Sequence, residues 1–241
     1  MADDSMPKGS VKKFTPDGES KLYQGHSVIA LLPENSPLRD TLKQIRQALE
    51  NHELAETAFP NDALLPEDSW HMTVFICVRD LERNQQVMPR PGYADNIKKV
   101  SGLEGPYDEW LEYTISTLQG LELDDTLKPP YELTVKRQIP EIKHTIGLAL
   151  EPHSSSLLGL RERLSEATGI ELRSPDAFQF HLTIAYMTRH LNEEEKDALK
   201  GLVEDILQYG PDTVQFGKVE LCSFQDMQAF EPEVTVAQAD Y

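Results

Sequence analysis

Trp70-His71-Met72-Thr73-Val74-Phe75 has an echo far downstream in Phe180-His181-Leu182-Thr183-Ile184-Ala185-Tyr186. Both stretches read His-apolar-Thr-apolar inside runs of β-forming residues. In an extended strand successive side chains alternate faces, so His71 and Thr73 share one face while Met72 and Val74 take the other. His181 and Thr183 repeat the arrangement. Same-face neighbours lie ~6.5–7 Å apart along a strand, close enough for an imidazole and a hydroxyl to touch one phosphate-sized anion. A single His-x-Thr in a strand is more often structural, since Thr is a good β residue and His is commonly an ordinary hydrogen-bonded side chain. Its repetition in similar surroundings 110 residues apart shifts the balance toward function.

Working outward, each motif follows a strand, a helix and a loop. His26–Leu32 alternates little, is strongly apolar and stops at Pro33, a first strand. Asn35-Ser36-Pro37 then offers a cap and a first-turn proline, and Leu38, Leu42, Ile45 and Leu49 recur at helical spacing. Residues 55–68 form a loop with two prolines that delivers the chain into the first motif. A polar connection bearing Pro89, Pro91 and Gly92 leads to a helix over Pro106–Leu118, with acidic residues in its first turn. Strands are expected at Tyr131–Lys136 and His144–Leu150, then a helix marked by Leu157, Leu160, Leu164 and Ala167 and ended by Gly169. Pro175 precedes the second motif. A charged helix over Leu191–Tyr209, with Asn192 as cap, and one long strand over Val214–Cys222 follow, with a further strand near Phe230. This order predicts an α+β fold with two lobes. The lobes are antiparallel or mixed sheets related by an internal pseudo-two-fold, with a central cleft and helices outside. Three segments are expected: a polar, partly mobile lead-in over 1–24, a single two-lobed domain over 25–232, and an acidic tail over 233–241.

Composition narrows the function. At 241 residues the chain can bury a sizeable core, and no apolar run approaches a membrane span. The polar start carries no signal-peptide core, which makes an intracellular, cytoplasmic protein the expectation. Its two cysteines, Cys77 and Cys222, cannot make a disulfide framework and sit in apolar strands, although Cys77 shares the predicted face of His71. A net charge of −18 argues against the broad basic surface that long nucleic acids require. A phosphate-ester ligand would therefore be small, or only the end of a strand.

In order and size, the paired motifs resemble the two-histidine (2H) phosphoesterase superfamily, which includes RNA 2',3'-cyclic phosphodiesterases. Lys13-Phe14-Thr15-Pro16-Asp17-Gly18, Gly25-His26-Ser27-Val28-Ile29 and Trp70–Phe75 look more narrowly like a branch known only as a domain of unknown function. The resemblance implies a cleft in which His71, Thr73, His181 and Thr183 converge on one phosphodiester, without metal or cofactor. In agreement, the sequence has no His-x-x-x-His, no Asp-x-Asp and no clustered Cys/His of ligand spacing.

The chemistry also stands without the family. An imidazole titrates near pH 6.5, so at neutral pH one histidine can accept a proton while the other donates one. Two threonine hydroxyls can hold the non-bridging oxygens. Either histidine can be the base. The expected ligand is a small phosphodiester or nucleotide, or a short RNA end, taken by a monomer. Phe75, on the His71 face, is a candidate base-stacking residue or cleft floor. Tyr186 faces away from His181 on an ideal strand and reaches ligand only if the strand bulges. Lys143 is a candidate for phosphate steering against a solvated edge. His26, His144 and His153 lack a Thr two places on and read as structural or surface residues, and Tyr23 and Trp70 carry no assigned role. Two other functions are compatible with the motifs: a module that binds a phosphorylated ligand without turnover, and an enzyme that reuses the cleft for non-phosphate acid–base chemistry.

Overall fold

The computed structural model describes residues 5–80, 106–172 and 178–239. The expected connection through Pro89, Pro91 and Gly92, and Pro175 ahead of the second motif, lie outside the described residues. Eight strands and five α-helices follow one another along the described chain. They are β1 (Gly25–Leu31), α1 (Pro37–Glu50), α2 (Ala55–Ala58), β2 (His71–Arg79), α3 (Tyr107–Gln119), β3 (Tyr131–Val135) and β4 (Thr145–Pro152), followed by α4 (Ser156–Thr168), β5 (Phe180–Tyr186), α5 (Glu193–Leu207), β6 (Thr213–Phe216), β7 (Lys218–Phe224) and β8 (Glu231–Gln238).

Local chemistry accounts for the helix ends. Ser36 accepts a hydrogen bond from the Leu38 N–H, Pro37 opens α1, and the helix buries Leu38, Leu42, Ile45 and Leu49 along one face. Asn192 and Glu195 form a reciprocal capping box at the start of α5. Gly169 closes α4 in the left-handed conformation at φ 68°.

The strands form one sheet in the order β6-β3-β4-β5-β2-β1-β7-β8, antiparallel throughout. The α+β class stands, but a single sheet replaces the two expected. The two motif strands cause the merger, pairing with each other at the centre through Met72 and Leu182. Left apart, each would be a sheet edge with unpaired backbone groups. The similar surroundings read in the sequence survive as two strand–helix–strand units, β1-α1-β2 and β4-α4-β5, each delivering its second strand to the middle.

The long strand expected over Val214–Cys222 is two strands, interrupted at Gly217. β6 pairs with β3 at one edge of the sheet, while β7 pairs with β1 near the other. Adjacent Cα atoms are only ~3.8 Å apart, so one intervening residue can join these positions only if the sheet curls and brings its edges toward each other. Residues 233–238, read as the start of a tail, run in the edge strand β8.

The lead-in is structured from residue 5. Met6, Ser10, Phe14 and Tyr23 are buried, and Phe14 bridges to Ser20 around the turn at Thr15–Gly18. Gly18 is required there twice over: its φ is 81°, and an added Cβ would lie 1.9 Å from the Pro60 carbonyl oxygen.

Candidate functional site

The Met72–Leu182 pair sets the register that builds the site. In that antiparallel alignment His71 lies across from Thr183, and Thr73 across from His181. Each histidine of one motif therefore neighbours the threonine of the other. Behind them Met72, Val74, Leu182 and Ile184 are fully buried, which holds the four polar side chains on the open face. All four line one cleft of about 320 Å³.

Each imidazole is oriented by its own chain. His71 Nδ1 lies 2.7 Å from the Ser69 carbonyl oxygen, and His181 Nδ1 lies 3.0 Å from that of Gln179. A carbonyl only accepts, so Nδ1 carries hydrogen in both rings and Nε2 is the atom left for chemistry. The repeat thus extends beyond residue type to tautomer. His71 is half-buried and packs on Phe230 with ring centroids 4.2 Å apart. Desolvation pulls its pKa down to about 4, assisted by the positive charge of His181 and Lys13 and opposed by the Ser69 hydrogen bond.

Both motif strands bulge immediately after the threonine. On β2 the pairing with β1 jumps from Thr73 to Phe75, and on β5 the pairing with β4 jumps from Thr183 to Ala185. An extra residue reverses the alternation beyond it. Ile76 and Tyr186, each three places after its threonine, consequently line the cleft. Phe75 does not: the bulge turns it into the core, where it is 1% exposed, and Cys77 is buried likewise. Lys143, the third residue singled out beyond the tetrad, is exposed, ion-paired with Glu141 and absent from the described lining. Gly147 on β4 lies against the β5 backbone, where an added Cβ would come within 2.3 Å of the Leu182 oxygen.

Several lining residues were not singled out from sequence. The lead-in contributes Lys8, Lys12 and Lys13, and β2 ends with Arg79 at the rim. His144, which lacks the motif spacing, also faces the cleft. Its ring lies against Gly9, and desolvation followed by Lys13 and His181 lowers its pKa. Tyr23, Phe224, Met227 and Phe230 form an apolar wall. The missed residues belong to segments far apart in sequence, and none carries a local repeat. His26 and His153 fall outside the cleft: His26 is fully buried and His153 hydrogen-bonds Thr134.

The charge balance of the cleft is opposite to that of the chain. Among its described lining residues are three lysines, one arginine and three histidines, and no carboxylate. The chain as a whole carries 41 acidic against 23 basic residues. A concave site lined by one sign concentrates ions of the other. Among the described residues no group of three or more His, Cys, Asp or Glu is placed to hold a metal ion. No described helix is long and apolar enough to cross a membrane.

The fold resembles that of a conserved protein of unknown function from Agrobacterium tumefaciens strain C58, with a TM-score of 0.76 at 20% identity, covering 98% of this chain and 96% of that one. Escherichia coli LigT complexed with phosphate is more distant, with a TM-score of 0.45 at 12% identity over 89% of this chain and 97% of that one. No curated protein matches the chain. Residues 13–97, which hold the lead-in turn, β1 and the first motif, match a family model labelled 2H-phosphodiest and described as Domain of unknown function (DUF1868). Over that span the chain is similar to a two-histidine phosphodiesterase family, as its paired motifs implied.

Proposed function

We propose that the cleft hydrolyses a small phosphodiester, of the nucleoside 2',3'-cyclic phosphate type or the same group at a short RNA end. His71 and His181 act as general base and acid. The observation that carries this assignment is the crossed tetrad in a cleft whose described lining is basic, within a chain of net charge −18. Such a lining favours one anionic group, and the cleft volume of about 320 Å³ is at the small end of ligand sites.

The two histidines differ in environment, and this suggests their roles. His71 is held neutral by desolvation, with Nε2 bearing the free lone pair. It takes a proton from the attacking water as the new P–O bond forms. His181 lies on the exposed side of the cleft and, as the imidazolium, gives its Nε2 proton to the departing ester oxygen. The product is a phosphomonoester with one free hydroxyl. Thr73 and Thr183 hydroxyls hold the non-bridging oxygens, where charge accumulates. The substrate anion opposes the desolvation of His71 and brings its pKa up toward the working range as the complex forms. Residues 25–238 together with the lead-in form the functional unit under this assignment. The units β1-α1-β2 and β4-α4-β5 are its two related halves.

A direct assay tests the proposal. The full chain is expected to convert a nucleoside 2',3'-cyclic monophosphate into a single phosphomonoester in the presence of EDTA, as resolved by ³¹P NMR. Absence of turnover across the four common nucleosides, with the protein folded, would count against it.

A further inference from the structure

Lys13 stands out among the cleft residues because of how it is held. It is half-buried in a strongly acidic chain, yet it has no ion pair with any described carboxylate. Its ammonium donates to the Tyr186 hydroxyl at 2.7 Å and lies 4.3 Å from the centre of that ring and 5.4 Å from the Tyr23 ring. Tyr186 in turn donates to Met227 Sδ at 3.8 Å, so its oxygen is free to accept from Lys13. Tyr186 occupies this place because of the bulge after Thr183, and its ring packs on Phe14, next in sequence to Lys13, at 5.1 Å.

The segment that carries Lys13 is anchored rather than draped. Met6, Ser10 and Phe14 are buried, Ser10 Oγ donates to the His144 carbonyl at 3.3 Å, and Gly9 lies so close to the His144 ring that a Cβ would come within 2.3 Å of it. A four-carbon stem normally gives an ammonium wide freedom, and ordering it costs entropy. Here two aromatic faces and a hydroxyl fix it in the wall of the cleft, with two of its three N–H donors not used by Tyr186.

Resting on the phosphodiesterase assignment, we propose that Lys13 is a phosphate-binding residue of this site, supplied by the N-terminal segment and aimed by Tyr186. Its ammonium takes a non-bridging oxygen alongside the threonine hydroxyls and balances the charge that grows there as the ester bond breaks. The influence of the Lys13 charge on both His71 and His144 agrees with a position above the tetrad. The sequence Lys13–Gly18 then has two tasks, since its turn locks the segment and its first residue reaches the substrate.

The test uses inorganic phosphate as probe, with Lys13→Met and Lys13→Arg in the full chain. Calorimetry is expected to show phosphate binding weakened by about ten- to a hundredfold in Lys13→Met, the range for a hydrogen bond to a charged group. Lys13→Arg should keep most of the affinity. In parallel, the His71 ring followed by ¹H–¹⁵N NMR should titrate at higher pH in Lys13→Met than in the wild type, because a neighbouring positive charge has been removed. A structural role would move neither quantity selectively while the rest of the spectrum stays unchanged. Equal phosphate affinity in wild type and Lys13→Met, or no phosphate binding by either, overturns the proposal. Turnover of a cyclic phosphate with kcat and KM unaltered in Lys13→Met also overturns it and leaves the phosphodiesterase assignment standing. Lys13-dependent phosphate binding without any turnover supports Lys13 and removes the assignment.

Discussion

Alanine at His71 or at His181 is expected to lower turnover of a nucleoside 2',3'-cyclic phosphate by about 10²–10⁴, the usual contribution of a positioned general acid or base. The loss should appear in kcat rather than KM, since the threonines and the basic rim remain to hold the anion. Combining the two changes should cost little more than either alone, because base and acid act in one concerted displacement. Neither change should unfold the chain: His71 is half-buried, His181 is exposed, and the apolar residues behind them are untouched. The pH dependence separates the two roles. A base must be neutral to act, so activity governed by His71 falls as pH drops through its pKa. The acidic limb of kcat/KM, which reports the free enzyme, should therefore lie near pH 4 rather than near 6.5. In His181→Ala that limb should persist on the residual rate, whereas in His71→Ala it should vanish. Retention of full turnover in either variant would remove that histidine from the mechanism.

Acid is expected to destabilise the fold through His26, a histidine with no part in the chemistry. Its ring is fully buried between β1 and α3, with Nε2 3.0 Å from Thr114 Oγ1 and Nδ1 3.3 Å from the Tyr107 hydroxyl. Thr114 already donates its hydrogen to the Trp110 carbonyl at 2.9 Å, so it accepts from His26 Nε2–H. Nδ1 is then the lone pair that accepts from Tyr107. A second proton would destroy that acceptor and leave a charge away from water, and burial accordingly pushes the His26 pKa down to about 3. Between about pH 6.5 and about 3 the unfolded chain binds a proton here that the folded chain refuses. Stability is thus fully present above about 6.5 and declines as pH falls. At pH 4 the loss amounts to roughly 3 kcal/mol from this group, at about 1.4 kcal/mol per pH unit. Urea unfolding of the wild type and of His26→Gln at pH 7 and pH 4 isolates it. Glutamine should be less stable at pH 7, but should lose about 3 kcal/mol less on acidification. Equal losses in both proteins would show that His26 titrates normally in the fold.

What could be read in the sequence, and what could not, divides along physical lines. Local signals held: the Asn192 cap, the glycine stop at Gly169 and the Ser36-Pro37 start are each decided by a few adjacent residues. The two motif strands and their shared open face were equally legible, because a two-residue period is a local property. Pairing is not local. Nothing in either motif says that Met72 will lie beside Leu182, so two separate sheets were a fair expectation and one continuous sheet was found.

Bulges were invisible for a similar reason, since they answer to the partner strand. They reversed the facing of the residues next after Thr73 and Thr183, sending Phe75 into the core and Tyr186 into the cleft. Gly217 hid a change of partner within what reads as one unbroken strand. The lead-in was the largest omission. Its polar composition suggests solvent, and its buried residues, among them Met6, Ser10, Phe14 and Tyr23, are too sparse to announce the wall of a site.

A crystal structure of the wild-type chain with orthophosphate tests the central claim most directly. One phosphate is expected between the motif strands, within hydrogen-bond distance of Nε2 of His71 and His181 and Oγ1 of Thr73 and Thr183. Phosphate bound elsewhere, with these four side chains taking no part, would contradict it.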